Sequence, residues 1–238
     1  MIRFEDVSIG YDRKNPLISS VSLAVQPGSR VGILGPNGVG KSTLLKTLIG
    51  IVPLISGEIR IEGTSLSAYS RQERTRLFSW MSQASPGFFH FTVEDIVLMG
   101  RYPFLNRWGE VCDADKAIVQ SLLEDLGIGH LRTKWFHHLS SGEQQLVMLA
   151  RTFAQESTWM ILDEPFTHLD LYYQRSLARH VTGYCEDGKG FFLVSHSPEL
   201  IQAICDFVIL IGRDGRVGYY PISHLSSEAV IETLFGLG

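Results

Sequence analysis

One run, Gly35-Pro36-Asn37-Gly38-Val39-Gly40-Lys41-Ser42, constrains the fold of this chain more than any other feature. It fits the pattern GxxxxGK[ST], and its flanks supply the context that pattern requires. Ser29 to Leu34 reads as a short buried strand before it, and Leu44, Leu45 and Leu48 have helical spacing in a segment from Ser42 to Ile49 after it. Glycines let the loop curl so that successive N–H groups face one anion, and the helix N-terminus adds positive potential. Lys41 is placed to neutralise the β- and γ-phosphates, and Ser42 offers a hydroxyl to Mg²⁺. A bare glycine-rich turn is the competing reading, and the strand and helix on either side argue against it.

The rest of the chain must build an α/β core around that unit. Its 238 residues are 45% apolar and 19% charged, enough to fill one domain with an insertion. Twenty-one Lys plus Arg against twenty-five Asp plus Glu leave a net charge of −4, with no polybasic run, which disfavours nucleic acid as the main partner. No stretch reaches the roughly eighteen apolar residues of a spanning helix, since Leu44 to Ile55 contains Lys46, Gly50 and Pro53. Glu5 and Asp6 interrupt the apolar segment a signal peptide would need, so a cytosolic location is expected. Cys112, Cys185 and Cys205 form no CxxC pair and read as buried or idle thiols.

Alternation in Phe4 to Ile9 and Val21 to Val25 predicts half-buried strands, with Pro27-Gly28 turning into a third, a β-rich meander. From about 85 to 156 the pattern turns mainly helical. Thr92 and Asp95 suit a helix start, Ile118, Leu122, Leu123 and Leu126 share one face, and Gly142 to Gln155 is amphipathic. This stretch is expected to be an inserted helical subdomain, with 1–84 and 157–238 supplying the core and an antiparallel β subdomain. Two apolar runs, 159–162 and 191–194, separated by a helical segment from about 171 to 183, argue for parallel strands. A last strand pair, 207–211 and 217–220, flanks Arg213-Asp214-Gly215.

Asp163 and Glu164 follow the first of those runs, and on an extended backbone they would point to opposite sides and take different tasks. Asp163 is placed to bind Mg²⁺ and Glu164 to act as general base on an attacking water. His196 follows the second run, where parallel sheets present ligand-facing residues, and an imidazole there can touch the γ-phosphate. Leu139-Ser140-Ser141-Gly142-Glu143-Gln144-Gln145 opens a helix and, taken alone, could be a capping box of Ser140 and Glu143.

Taken together, the phosphate-binding loop, this Ser/Gly helix opening and the Asp163-Glu164 pair resemble the ATP-binding cassette family, whose signature reads Leu-Ser-Gly-Gly-Gln. The resemblance spans essentially the whole chain and implies a P-loop NTPase core that hydrolyses ATP with Mg²⁺. It implies that Gly35 to Ser42, with Thr43, hold the nucleotide, and that Tyr11 stacks on adenine. Gln83 matches the family's Q-loop glutamine, sensing Mg²⁺ and the attacking water. Ser140, Ser141, Gly142 and Glu143 would contact ATP held by another subunit, although Ser141 replaces a glycine and Glu143 a glutamine. Asp170 would organise the contact between subunits.

One chain carries one loop and one signature, so the resemblance implies a dimer of ATPase subunits, most simply a homodimer. It also implies an integral-membrane permease docked on the helical subdomain, an indirect solute-binding protein, and a peripheral place on the cytoplasmic face of the inner membrane. Val97 to Pro103 and His168 to Gln174 are similar to importers of ferric siderophores, haem and vitamin B12, while importers of free manganese or zinc share part of the first element. A soluble, non-transport cassette protein usually carries two cassettes or a long coiled coil, and neither is present.

Overall fold

The computed structural model describes residues 1–82, 90–105, 109–167 and 169–226. Two sheets and a helical cluster share two hydrophobic cores. The central sheet follows from short apolar runs that are buried on both faces: β3 (Arg30–Leu34), β6 (Phe78–Met81), β7 (Trp159–Asp163), β8 (Gly190–Val194) and β9 (Phe207–Ile211) are parallel, and β10 (Val217–Pro221) pairs antiparallel at the edge. The order is β10-β9-β3-β8-β7-β6. Strand periodicity divides each run between the cores. Met160, Leu162, Phe191 and Leu193 face the helical side, while Trp159, Ile161, Phe192 and Val194 face the other.

That other side is covered by an antiparallel sheet ordered β2-β1-β4-β5, built from β1 (Ile2–Ile9), β2 (Ile18–Val25), β4 (Ser56–Ile61) and β5 (Thr64–Ser65). The third strand expected in an N-terminal meander is instead β3, which leaves β2 to lie between β8 and β9. Its residues Val31, Ile33 and Leu34 are all buried, as the short apolar run from Ser29 to Leu34 predicts.

After β3 comes α1 (Lys41–Leu48), and α2 (Arg71–Leu77) precedes β6. Between β6 and β7 lie α3 (Val93–Leu98), α4 (Asp113–Asp125) and α5 (Ser141–Ala154), packed on one another. A full capping box starts α3, with Thr92 Oγ1 accepting from the Asp95 N–H and Asp95 Oδ2 from the Thr92 N–H. On α4 the buried face carries Val119 and Leu123 with an acid, Asp115, while Ile118 and Leu122 are only half-buried. Cys112, expected to be idle, donates its thiol to Asp115 Oδ2 at 3.0 Å. α6 (Leu171–Gly183) and α7 (Pro198–Ile204) complete the fold. No helix among the described residues is long and apolar enough to cross a membrane.

Candidate active site

The loop between β3 and α1 curls through two left-handed glycines, Gly38 (φ 78°) and Gly40 (φ 111°), conformations that a side chain would strain. Two adjoining cavities result. One, of about 330 Å³, is lined by Tyr11, Gly40, Lys41, Ser42, Thr43, Asp163 and Glu164 among others; the second, of about 620 Å³, takes Gly35, Pro36 and Val39. Asn37, Gly38 and His196 line both. Every expected loop residue therefore reaches one continuous cleft at the C-terminal ends of parallel strands, where open α/β sheets place their ligands.

At its floor, Lys41 Nζ folds back to donate to the carbonyls of Gly35 at 2.8 Å and Pro36 at 2.9 Å. Burial lowers its pKa, and the nearby Glu164 and Asp163 charges oppose that shift. Ser42 Oγ donates to Asp163 Oδ1 at 3.2 Å. Hydroxyl and carboxylate side by side, at the end of a strand, form the hard oxygen donor set that Mg²⁺ prefers, so these residues fit the ion. Tyr11 is 71% exposed at the mouth, its ring free to stack.

The two acids do not point to opposite sides as an extended backbone predicts. Glu164 has φ +57°, so the chain leaves the strand at that residue and both carboxylates line the same cleft. Its N–H still donates to the Val194 carbonyl at 3.1 Å, which ties the turn to the neighbouring strand. Burial raises the Glu164 pKa, opposed by the His196 and Lys41 charges and by the Thr167 hydroxyl, which donates to Oε2 at 3.3 Å. His196 Nε2 stands 3.0 Å from Glu164 Oε1, within ion-pairing reach but without hydrogen-bond alignment, and that oxygen accepts no hydrogen bond. Sequence reasoning missed Thr167, whose signal is its place at the end of the four-residue turn begun by Glu164. It also missed Arg213, brought to the outer cavity by the β9–β10 turn.

Ser140 to Glu143 line neither cavity. Ser140 caps α5 through a complete capping box: its Oγ accepts from the Glu143 N–H at 3.3 Å and its N–H donates to Glu143 Oε2 at 2.8 Å, while its hydroxyl also donates to that oxygen at 2.7 Å. Those bonds hold the Glu143 carboxyl below its usual range. Gly142 is buried beneath the Tyr173 ring of α6, where a Cβ would collide, so the glycine answers to a contact within this chain. Ser141 is exposed on the first turn of α5. Asp170 caps α6 by accepting from the Tyr173 N–H at 3.0 Å. Gln83 and His168 lie outside the described residues.

Comparison with known proteins agrees with this geometry. The family model described as ABC transporter matches residues 18–167. The chain is 33% identical over 226 residues to the hemin import ATP-binding protein HmuV of Pseudomonas entomophila (strain L48), covering 93% of this chain and 87% of that one. It is 32% identical over 237 residues to the manganese transport system ATP-binding protein MntB of Bacillus subtilis (strain 168), covering 99% and 92%. A solved structure of a metal-chelate type ABC transporter in an inward-facing conformation superposes with a TM-score of 0.86 at 27% identity, over 99% of this chain and 89% of that chain. The chain belongs to the ABC transporter family, as an ATP-binding cassette with the P-loop NTPase fold and ATPase chemistry.

Proposed function

We propose that this chain is the ATPase subunit of a bacterial importer of a metal chelate, such as a ferric siderophore or haem, or of vitamin B12. The observation that carries the reading is that the cleft assembles loop, acids and imidazole but not Ser140 to Glu143, so a second subunit must complete it. Residues 85–156 then form the helical subdomain that receives a permease, with 1–84 and 157–238 as core and β subdomain. The subunit sits on the cytoplasmic face of the inner membrane, indirectly served by a solute-binding protein. Identity to HmuV supports the chelate class. A similar identity to MntB favours free manganese or zinc as the second reading.

In the mechanism, Lys41 leaves the Gly35 and Pro36 carbonyls for the β- and γ-phosphates, and Tyr11 stacks on adenine. Ser42 and Asp163, with Gln83, would hold Mg²⁺, which when bound supplies charge neutralisation to the phosphate oxygens. Glu164 takes a proton from a water held by His196 as the water oxygen bonds to the γ-phosphorus. The bond from that phosphorus to ADP breaks, and ADP leaves with the electron pair. Ser140 to Glu143 of the partner cover the γ-phosphate, and Asp170 orders the seam between subunits. Because the Ser140 hydroxyl is engaged with Glu143, closure must release it.

The test is purification of the tagged chain from its native membranes, with mass spectrometry of its companions and an ATPase assay. Recovery of a many-helix permease without a second cassette supports a homodimeric importer. Recovery of soluble partners alone would overturn the transport reading.

A further inference from the structure

The two oxygens of the Glu164 carboxylate have different surroundings. Oε2 accepts from the Thr167 hydroxyl at 3.3 Å. Oε1 is shut off from solvent and accepts no hydrogen bond from the described residues, with the His196 imidazole covering it at 3.0 Å and out of alignment. A buried acceptor is seldom left so, and each exception calls for a cause. Thr167 reaches Oε2 because the chain folds back on itself. The Thr167 N–H donates to the Glu164 carbonyl at 3.3 Å and closes a four-residue turn, with Pro165 in its second place, where a fixed φ suits a turn. Phe166, the third residue, is buried in the core on the helical side of the central sheet and pins the turn. The Thr167 hydroxyl sits on a β-branched side chain, which is stiff at χ1. By contrast, the terminal torsion of an untethered carboxylate is broad, and its oxygens exchange places readily.

From these features we infer that Thr167 is a positioning residue for hydrolysis: it ties down Oε2 and keeps Oε1 as the atom that receives the proton of the attacking water. The inference rests on the reading of Glu164 as general base and adds to it which oxygen acts and what aims it. His196, more than half exposed, uncovers Oε1 as its imidazole turns toward the γ-phosphate. The water proton then passes to Oε1 while the water oxygen bonds to the γ-phosphorus, and the bond from that phosphorus to ADP breaks with the electron pair leaving on ADP. A carboxylate free to rotate would offer this geometry only part of the time, and small misplacements of a reacting group cost rate steeply. Nucleotide binding does not draw on the contact, because Thr167 lines neither cavity of the cleft.

The experiment measures ATP hydrolysis by the full tagged chain purified from its native membranes with its companions. Thr167→Val, which keeps the shape and removes the hydroxyl, is expected to lower kcat about ten- to a hundredfold, the worth of a hydrogen bond to a charged group, with KM unchanged. Thr167→Ser, which returns the hydroxyl, is expected to recover most of that rate. In a Glu164→Gln background, Thr167→Val is expected to add no further loss, since it acts through the carboxylate. ATP binding by each purified variant reports folding; should Thr167→Val fail to bind, Thr167→Ala against Thr167→Ser decides in its place. Wild-type kcat in Thr167→Val, equal losses in Thr167→Val and Thr167→Ser, or a further loss on top of Glu164→Gln would each overturn the inference and leave the base reading standing. Full turnover by Glu164→Gln would remove the base reading itself, and the inference with it.

Discussion

Arg101 Nε donates to Asp115 Oδ1 at 2.8 Å inside the helical cluster, both side chains almost fully buried. The same guanidinium donates through Nη1 to the Ala154 carbonyl at 2.7 Å and to Glu156 Oε2 at 2.6 Å. One side chain thereby joins the segment after α3, the start of α4 and the end of α5.

Removing that cation leaves a buried carboxylate without compensation, which costs about 3–5 kcal/mol. Arg101→Met is expected to lower stability by that amount in chemical denaturation, and adding Asp115→Leu to recover most of the loss. A single variant as stable as wild type would contradict the arrangement.

Acid should attack the same network. Burial opposes the Asp115 carboxylate, but the Cys112 thiol, Arg101 and the Cys112 N–H outweigh it and hold its pKa below the usual value. A depressed folded-state pKa contributes stability that is complete above the unfolded value, about 3.9, and is lost as pH falls through the folded one. Wild type should lose more stability than Asp115→Asn as pH falls below about 4, measured by urea midpoints.

Glu164→Gln is expected to bind ATP and to hydrolyse it about 10²–10⁴-fold more slowly. Because burial raises the Glu164 pKa, wild-type turnover should begin to fall, as pH is lowered, before the ordinary carboxylate range is reached. A rate flat through that range would remove Glu164 from the role of base.

Lys41→Ala deletes charge-assisted bonds to phosphate worth about 1.5–3 kcal/mol, so calorimetry should show ATP affinity falling about ten- to a hundredfold.

Tyr11→Ala should weaken ATP binding about two- to tenfold, matching a stacking contribution of about 0.5–1.5 kcal/mol, while Tyr11→Phe keeps wild-type affinity. Equal losses in both variants would point to the hydroxyl and not the ring.

Much of the nucleotide cleft was legible because its signals are local. Lys41 and Ser42 sit in one contiguous loop, and Asp163, Glu164 and His196 follow apolar runs that can only be buried strands. The orientation of the acids was not legible, since the left-handed turn at Glu164 is held by a bond to Val194 on another strand. Asp115 was hidden for a related reason. On an amphipathic helix an acid reads as solvent-facing, and Arg101, outside the helix, together with Cys112 makes its burial tolerable. The close approach of Tyr173 to Gly142 was not legible either, since the two residues lie on different helices.

The left-handed backbone at Glu164 puts stability and activity in opposition at one residue. A side chain in that conformation costs on the order of 1–2 kcal/mol, which glycine would not incur. Under the role proposed for Glu164, a change to glycine would relieve that cost and remove the base in one step, so a hardier fold and a slower enzyme would come from the same substitution.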